Sequence, residues 1–250
     1  LFAMDPATGR KRWSRSQGLI VNSTISVTDD AVFFLECTDT ELRAGTPRRL
    51  SGDTFWNNLR LVALDLKTGT PRWELNAKPE PGTSLVALVA AEGKLVLQTS
   101  FVGKFAVYVM DQRSGRIEWR STFDWETDHH GKHLSRPLVV DGSLYLRPLT
   151  IDLATGDVTA TAFPGGHQCG TYTASKNALF LRAGDLAMWD RDSLTTTKLQ
   201  RMRPDCWIST IPAEGMLLSP EGGGGCSCGS WMETSMGLLP KRSGAAEPTP

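Results

Sequence analysis

The chain has 250 residues, 40% of them hydrophobic, which suffices for a sizeable core in one or two domains. Its 27 basic and 27 acidic side chains cancel, so no global positive field collects phosphates, and a nucleic-acid or anionic-membrane partner is disfavoured. No apolar run approaches the roughly 18–20 residues that cross a bilayer as a helix, and only residues 241–250 have the composition of a disordered tail.

Read in chain order, the sequence repeats itself around an aspartate. The first copy is Phe2-Ala-Met-Asp5-Pro-Ala-Thr8-Gly9 with Trp13 behind it, and residues 1–15 supply only two strands. Val62-Ala-Leu-Asp65-Leu-Lys-Thr68-Gly69 with Trp73 and Tyr108-Val-Met-Asp111-Gln-Arg-Ser114-Gly115 with Trp119 follow. The fourth copy, Asp152-Leu-Ala-Thr155-Gly156, has Ala160 in the tryptophan's place; the fifth, Asp190-Arg-Asp-Ser193, has Leu194 for glycine and Lys198 for tryptophan. The aspartates are 60, 46, 41 and 38 residues apart, close to the interval of about 40–45 residues expected of a four-stranded propeller blade.

Local chemistry explains the motif. Alternating apolar residues lead into it as a strand, Asp and Thr or Ser can bond the turn's own backbone, and Gly accepts a positive φ. The tryptophan on the next, outer strand can cover the gap to a neighbouring sheet. Between motifs stand strand–turn–strand segments centred on Asp30, Glu92-Gly93, Asp141-Gly142, Lys176-Asn177 and Glu214-Gly215. Each unit therefore reads as an antiparallel meander of strands A, B, C and D, with blades at about 20–78, 83–124, 134–163, 170–200 and 205–240. The longest spacing contains an insertion, residues 38–58, expected as a surface loop between strands B and C.

These residues resemble the PQQ-binding-like propeller repeat, the superfamily of quinoprotein alcohol dehydrogenases and of BamB, over about residues 1–240. The segments Asp128-His129-His130-Gly-Lys-His133, Gly166-His167-Gln-Cys169 and Cys226-Ser-Cys228 are more narrowly similar to exported, multidomain members of the planctomycete kind. The resemblance implies an all-β propeller of four-stranded antiparallel blades, five to six of them visible where the family usually has about seven or eight. A start in mid-blade reads as part of a longer propeller with other domains; closure by pairing of the two chain ends is the alternative. An extracytoplasmic, periplasmic location is implied as well.

The meander places the D–A and B–C loops at one end of the channel. His129, His130, His133, His167, Cys169 and Cys206 fall on D–A connections, and Cys226 and Cys228 on a B–C loop, so four cysteines and four histidines are expected on one face. Three readings stand: disulfides such as Cys206 with Cys226 or Cys228, which an exported protein would form; a metal site of thiolates and imidazoles; or unpaired thiols and solvated loop histidines. Cys37, the odd cysteine, reads as a buried thiol.

No Cys-x-x-Cys-His haem motif, phosphate loop or local catalytic triad is present. Asn22-Ser-Thr24 matches a glycosylation acceptor. For a quinoprotein dehydrogenase the family implies PQQ on a tryptophan floor, a calcium ion, a catalytic aspartate and often a vicinal Cys-Cys disulfide. This sequence has no Cys-Cys pair, and its repeated aspartates are turn formers. The expectation is a noncatalytic binding or scaffolding module with an unidentified protein or small-molecule partner; the alternative is an oxidoreductase using PQQ or a metal ion.

Overall fold

The structure, a computed structural model, describes residues 1–45, 52–125, 136–161, 171–200, 202, 210–221 and 234–240. It is built almost wholly from antiparallel meanders. Strands β1 (Phe2–Met4) and β2 (Lys11–Ser14) pair with each other. The next sheet holds β3 (Leu19–Ile20), β4 (Ser26–Val27), β5 (Ala31–Cys37), β6 (Leu59–Asp65) and β7 (Pro71–Ala77). Three four-stranded sheets follow: β8 (Thr83–Ala91) to β11 (Ile117–Asp124), β12 (Leu138–Val140) to β15 (Val158–Ala160), and β16 (Thr173–Ala174) to β19 (Thr196–Leu199). Strands β20 (Ile211–Ala213), β21 (Met216–Ser219) and β22 (Met236–Leu238) form the last sheet. The chain divides into two compact units, one of residues 1–127, 132–146 and 150–159, the other of residues 128–131, 147–149 and 160–250.

Where three hairpin turns are tightest, both central residues take positive φ: Glu92 and Gly93, Asp141 and Gly142, Glu214 and Gly215. That is the turn whose twist matches paired strands. In the second sheet strand A is split into β3 and β4 by a single 3-10 turn, Asn22–Thr24. The buried Thr24 hydroxyl mends the break, donating to the Val21 carbonyl and accepting from the Leu35 amide at 2.9 Å. The acceptor motif at Asn22 thus has its threonine enclosed and engaged.

Inner strands are buried on both faces. Phe33 and Leu35 of β5 join Val86, Leu95 and Leu97 of the third sheet in one core, whereas Val32 and Phe34 pack with Trp13 on the other side. Outer strands β7 and β11 keep one face in water. The segment between β5 and β6, expected as a surface loop, instead carries two short helices, α1 (Thr40–Ala44) and α2 (Asp53–Asn57). Asp39 caps α1 by accepting from the Leu42 amide, and Phe55 of α2 is 2% exposed within the core. Helices of one turn are too short to show a period in sequence, which is why the pattern did not display them.

The aspartate turns share one construction. In the first, second, fourth and fifth copies Oδ1 accepts two backbone N–H groups of its own turn, and in the third it accepts the Ser114 amide and hydroxyl. Across to the next sheet runs a second regularity. The indole N–H of Trp13 donates to the Leu66 carbonyl, that of Trp73 to Gln112 and that of Trp119 to Leu153, at 2.9, 3.1 and 2.9 Å. Each acceptor is the residue after the next copy's aspartate. The ring then lies on that copy's glycine: a Cβ on Gly69 would stand 2.6 Å from the Trp13 ring, and one on Gly156 3.0 Å from Trp119.

Gly69 and Gly9 share a φ near +70°, but Gly9 faces open space. Gly9→Ala should therefore cost about 1–2 kcal/mol, the left-handed penalty alone, while Gly69→Ala adds an overpacking cost of about 1–3 kcal/mol; urea unfolding of the two variants measures the difference. Acid supplies a second prediction. Arg12 beside Asp5 holds its carboxyl down to about 2, and hydrogen bonds lower Asp65, Asp111, Asp152 and Asp190 as well. A carboxyl lowered in the folded state stabilises above its unfolded value, about 3.9, and this is lost as pH falls through the folded value. Stability should fall as pH drops below about 4, modestly because these carboxyls are exposed to solvent, and Asp5→Asn should flatten that fall while lowering stability at pH 7, as read by denaturant midpoints across pH.

Candidate functional site

Two successive junctions between sheets of the first unit share backbone geometry and differ in filling. At the first, Arg15 follows Trp13 by two residues and is buried. Its Nε and Nη2 donate to Glu36 at 3.1 and 2.5 Å, Nη2 also donates to Glu74 at 2.8 Å, and Arg60 donates to the second oxygen of Glu74. The guanidinium lies 5.7 Å from the centre of the Phe34 ring. Glu36 has no exposure, a burial tolerable because both oxygens meet the arginine fork. Burial by itself would raise Glu74, but the hydrogen bonds from Arg60 and Arg15 outweigh it and hold the carboxyl low.

At the second junction the equivalent positions carry smaller residues. Strand register sets Leu97 where Phe34 stood and Thr99 where Glu36 stood, and Leu75 follows Trp73 as Arg15 follows Trp13. The three shorter side chains leave a cavity of about 210 Å³, lined chiefly by leucines together with Val86, Met110 and Ile117. It opens between the outer strands, where Leu75 is 38% and Ile117 51% exposed.

One end of this cavity is polar. Tyr108 takes the place of Val62 in the register, and its hydroxyl and that of Thr99 donate to the two oxygens of Glu80, with Arg120 adding a bond at 2.8 Å. Glu80 sits on the D–A connection before β8, and its side chain is 10% exposed. Burial pushes its carboxyl up, but the bonds from Thr99, Tyr108 and Arg120 prevail and it lies low. Tyr108 moves the other way: burial first, then the neighbouring carboxylate, push its hydroxyl up to about 12. Its hydroxyl proton is committed to the Glu80 carboxylate. The Arg120 guanidinium covers its ring at 5.0 Å.

The sequence-expected residues divide unevenly. His129, His130, His133, His167, Cys169, Cys206, Cys226 and Cys228 lie outside the described residues. Cys37 is a buried free thiol whose ionisation burial pushes up. Among the described residues, no three His, Cys, Asp or Glu side chains gather as a metal site. The Glu80 group escaped sequence reasoning because its members lie up to 40 residues apart; the one available sign was a tyrosine and a threonine where the preceding blade has Val62 and Glu36.

Comparison with known proteins places this geometry. The family described as outer membrane protein assembly factor BamB matches residues 1–161 and, in an overlapping second match, 57–195. BamB from Moraxella catarrhalis is 17% identical, with TM-score 0.53 over 85% of this chain and 62% of that one. The quinohemoprotein alcohol dehydrogenase ADHIIG from Pseudomonas putida HK5 is 12% identical, with TM-score 0.52 over 95% of this chain and 52% of that one. The Pan2 WD40 domain from Neurospora crassa is 13% identical, with TM-score 0.50 over 88% and 65%. No curated protein sequence matches. The chain thus spans under two thirds of each of these structures, and their likeness concerns the fold: antiparallel propeller blades. With the family match running over most of its length, the chain belongs to the BamB family of PQQ-like β-propeller repeat proteins.

Proposed function

We propose that the chain is a noncatalytic binding or scaffolding module of an exported, extracytoplasmic protein, with its cysteine and histidine loops forming a face at one end of the channel. The observation that carries this reading is the use made of the enclosed acids. Glu36, Glu74 and Glu80 are each bound by arginine, and the motif aspartates are spent on their own turns. Acid groups so committed hold sheets in register; catalysis calls for a perturbed group with a free side toward a cleft. The family's namesake is an outer membrane protein assembly factor, and a role in bringing proteins together outside the cytoplasm agrees with that description. No helix among the described residues is long and apolar enough to cross a membrane.

The quinoprotein alternative asks for a carboxylate free to ligate calcium and another free to take a proton. The described carboxylates do not fit: those drawn inward are already neutralised by guanidinium groups, which a divalent cation would have to displace. They offer that chemistry neither a ligand set nor a base.

The cysteines supply the test. In denaturant without reductant one thiol, that of Cys37, should react out of the five cysteines in the chain, and reductant should release the other four with no metal freed. PQQ at one equivalent in the purified full chain, with dye-linked oxidation of an alcohol or sugar, would overturn the scaffold reading; metal released together with the thiols would replace disulfides by ligation.

A further inference from the structure

We propose that the cavity between the second and third sheets is a binding site for a small, neutral aromatic molecule carrying a single hydrogen-bond donor. The cavity lies where the register positions differ from those of the preceding junction. Arg15, Phe34 and Glu36 occupy the corresponding positions one blade earlier, and the shorter Leu75, Leu97 and Thr99 that stand there line the cavity here. Sheet packing would close a purposeless gap of this size, since each unfilled volume forfeits contacts and stability.

Size and chemistry define the occupant. At about 210 Å³ the space is below the ~300 Å³ of drug-sized pockets and above the ~150 Å³ of an apolar cavity known to take up benzene. One or two fused rings fill it. The walls offer Leu, Val, Ile and Met surface, so a ligand with several polar atoms would leave them unpaired at a cost. The polar end is set to accept. Thr99 and Tyr108 line the cavity and already spend their hydroxyl protons on Glu80, leaving oxygen lone pairs for a ligand's N–H or O–H. The Glu80 carboxylate behind them is already paired with Arg120, so this end offers no uncompensated charge to hold an ion. Lys78, exposed among the lining residues, disfavours a cationic one at the entrance. A neutral ring with one donor satisfies all of these conditions.

Indole and benzofuran are nearly isosteric probes, of which only indole has a donor. Titration calorimetry of the full chain should show saturable binding of indole, about fivefold tighter than benzofuran, the worth of one net hydrogen bond. Leu75→Trp, which fills the mouth from a partly exposed position, should weaken both at least tenfold with the circular dichroism spectrum and melting temperature retained. Tyr108→Phe, which leaves Thr99 as the remaining acceptor, should narrow the preference for indole over benzofuran. Because Tyr108→Phe also removes a partner of Glu80 and so puts folding at risk, the Leu75 variant stands as the independent arm. No saturable indole binding, binding untouched by Leu75→Trp, or benzofuran bound as tightly as indole would each overturn the proposal.

Discussion

An indole ring laid on a glycine, with its N–H bonded to the carbonyl next to an aspartate, joins each of the first three motif-bearing sheets to its successor. Three properties of this contact act together. The ring removes a large apolar area from water, the N–H gives direction to an otherwise slippery apolar surface, and the glycine lets the ring approach the backbone closely. The acceptor carbonyl is held in place by the aspartate turn, whose Oδ1 takes up the local amides. A turn that looks purely local is in this way the socket for a side chain 34 to 53 residues upstream.

With the backbone spacing held by this clasp, the interior of each junction is free to vary. One is ionic and filled, with Arg15 bound to Glu36 and Glu74. The next is apolar and hollow, with its ionic group displaced toward Glu80 and Arg120. Buried ion pairs contribute little net stability once desolvation is counted, yet removing one partner is costly. The Arg15 group is therefore better understood as fixing which surfaces meet than as the source of their cohesion, which comes from Phe33, Leu35, Val86 and their neighbours. A repeat architecture can accept different contents at successive junctions because its stability is a sum of near-neighbour terms.

How much of this was legible in the sequence follows from how local each interaction is. The aspartate turns, the tight hairpins at Glu92-Gly93 and Asp141-Gly142, and the propeller-type meander rest on residues within a few positions of one another. Such patterns survive in a linear reading. The contents of the junctions do not: Arg15 meets Glu74 across 59 residues and Arg120 meets Glu80 across 40, and nothing in the spacing marks these charges apart from surface ones. The insertion concealed a core residue, Phe55, because a one-turn helix carries no readable period. The cysteine and histidine face, inferred from the strand order, falls on residues outside those described.

The departures from the repeat separate the two tasks of its glycine. Gly9 has the left-handed φ but open space around it. Gly69 and Gly156 have both the φ and the ring. The fourth copy has Ala160 in place of tryptophan, and in the fifth the glycine is Leu194, whose φ is +56° and whose side chain is 66% exposed. The turn persists there, with Asp190 accepting the Asp192 and Ser193 amides at 3.1 and 2.8 Å. A leucine can bear the positive φ at a cost of about 1–2 kcal/mol; it could not sit beneath a ring at 2.6 to 3.0 Å. Tryptophan and glycine are lost together, one copy apart, as they must be if the close approach of the ring is what demands glycine at Gly69 and Gly156.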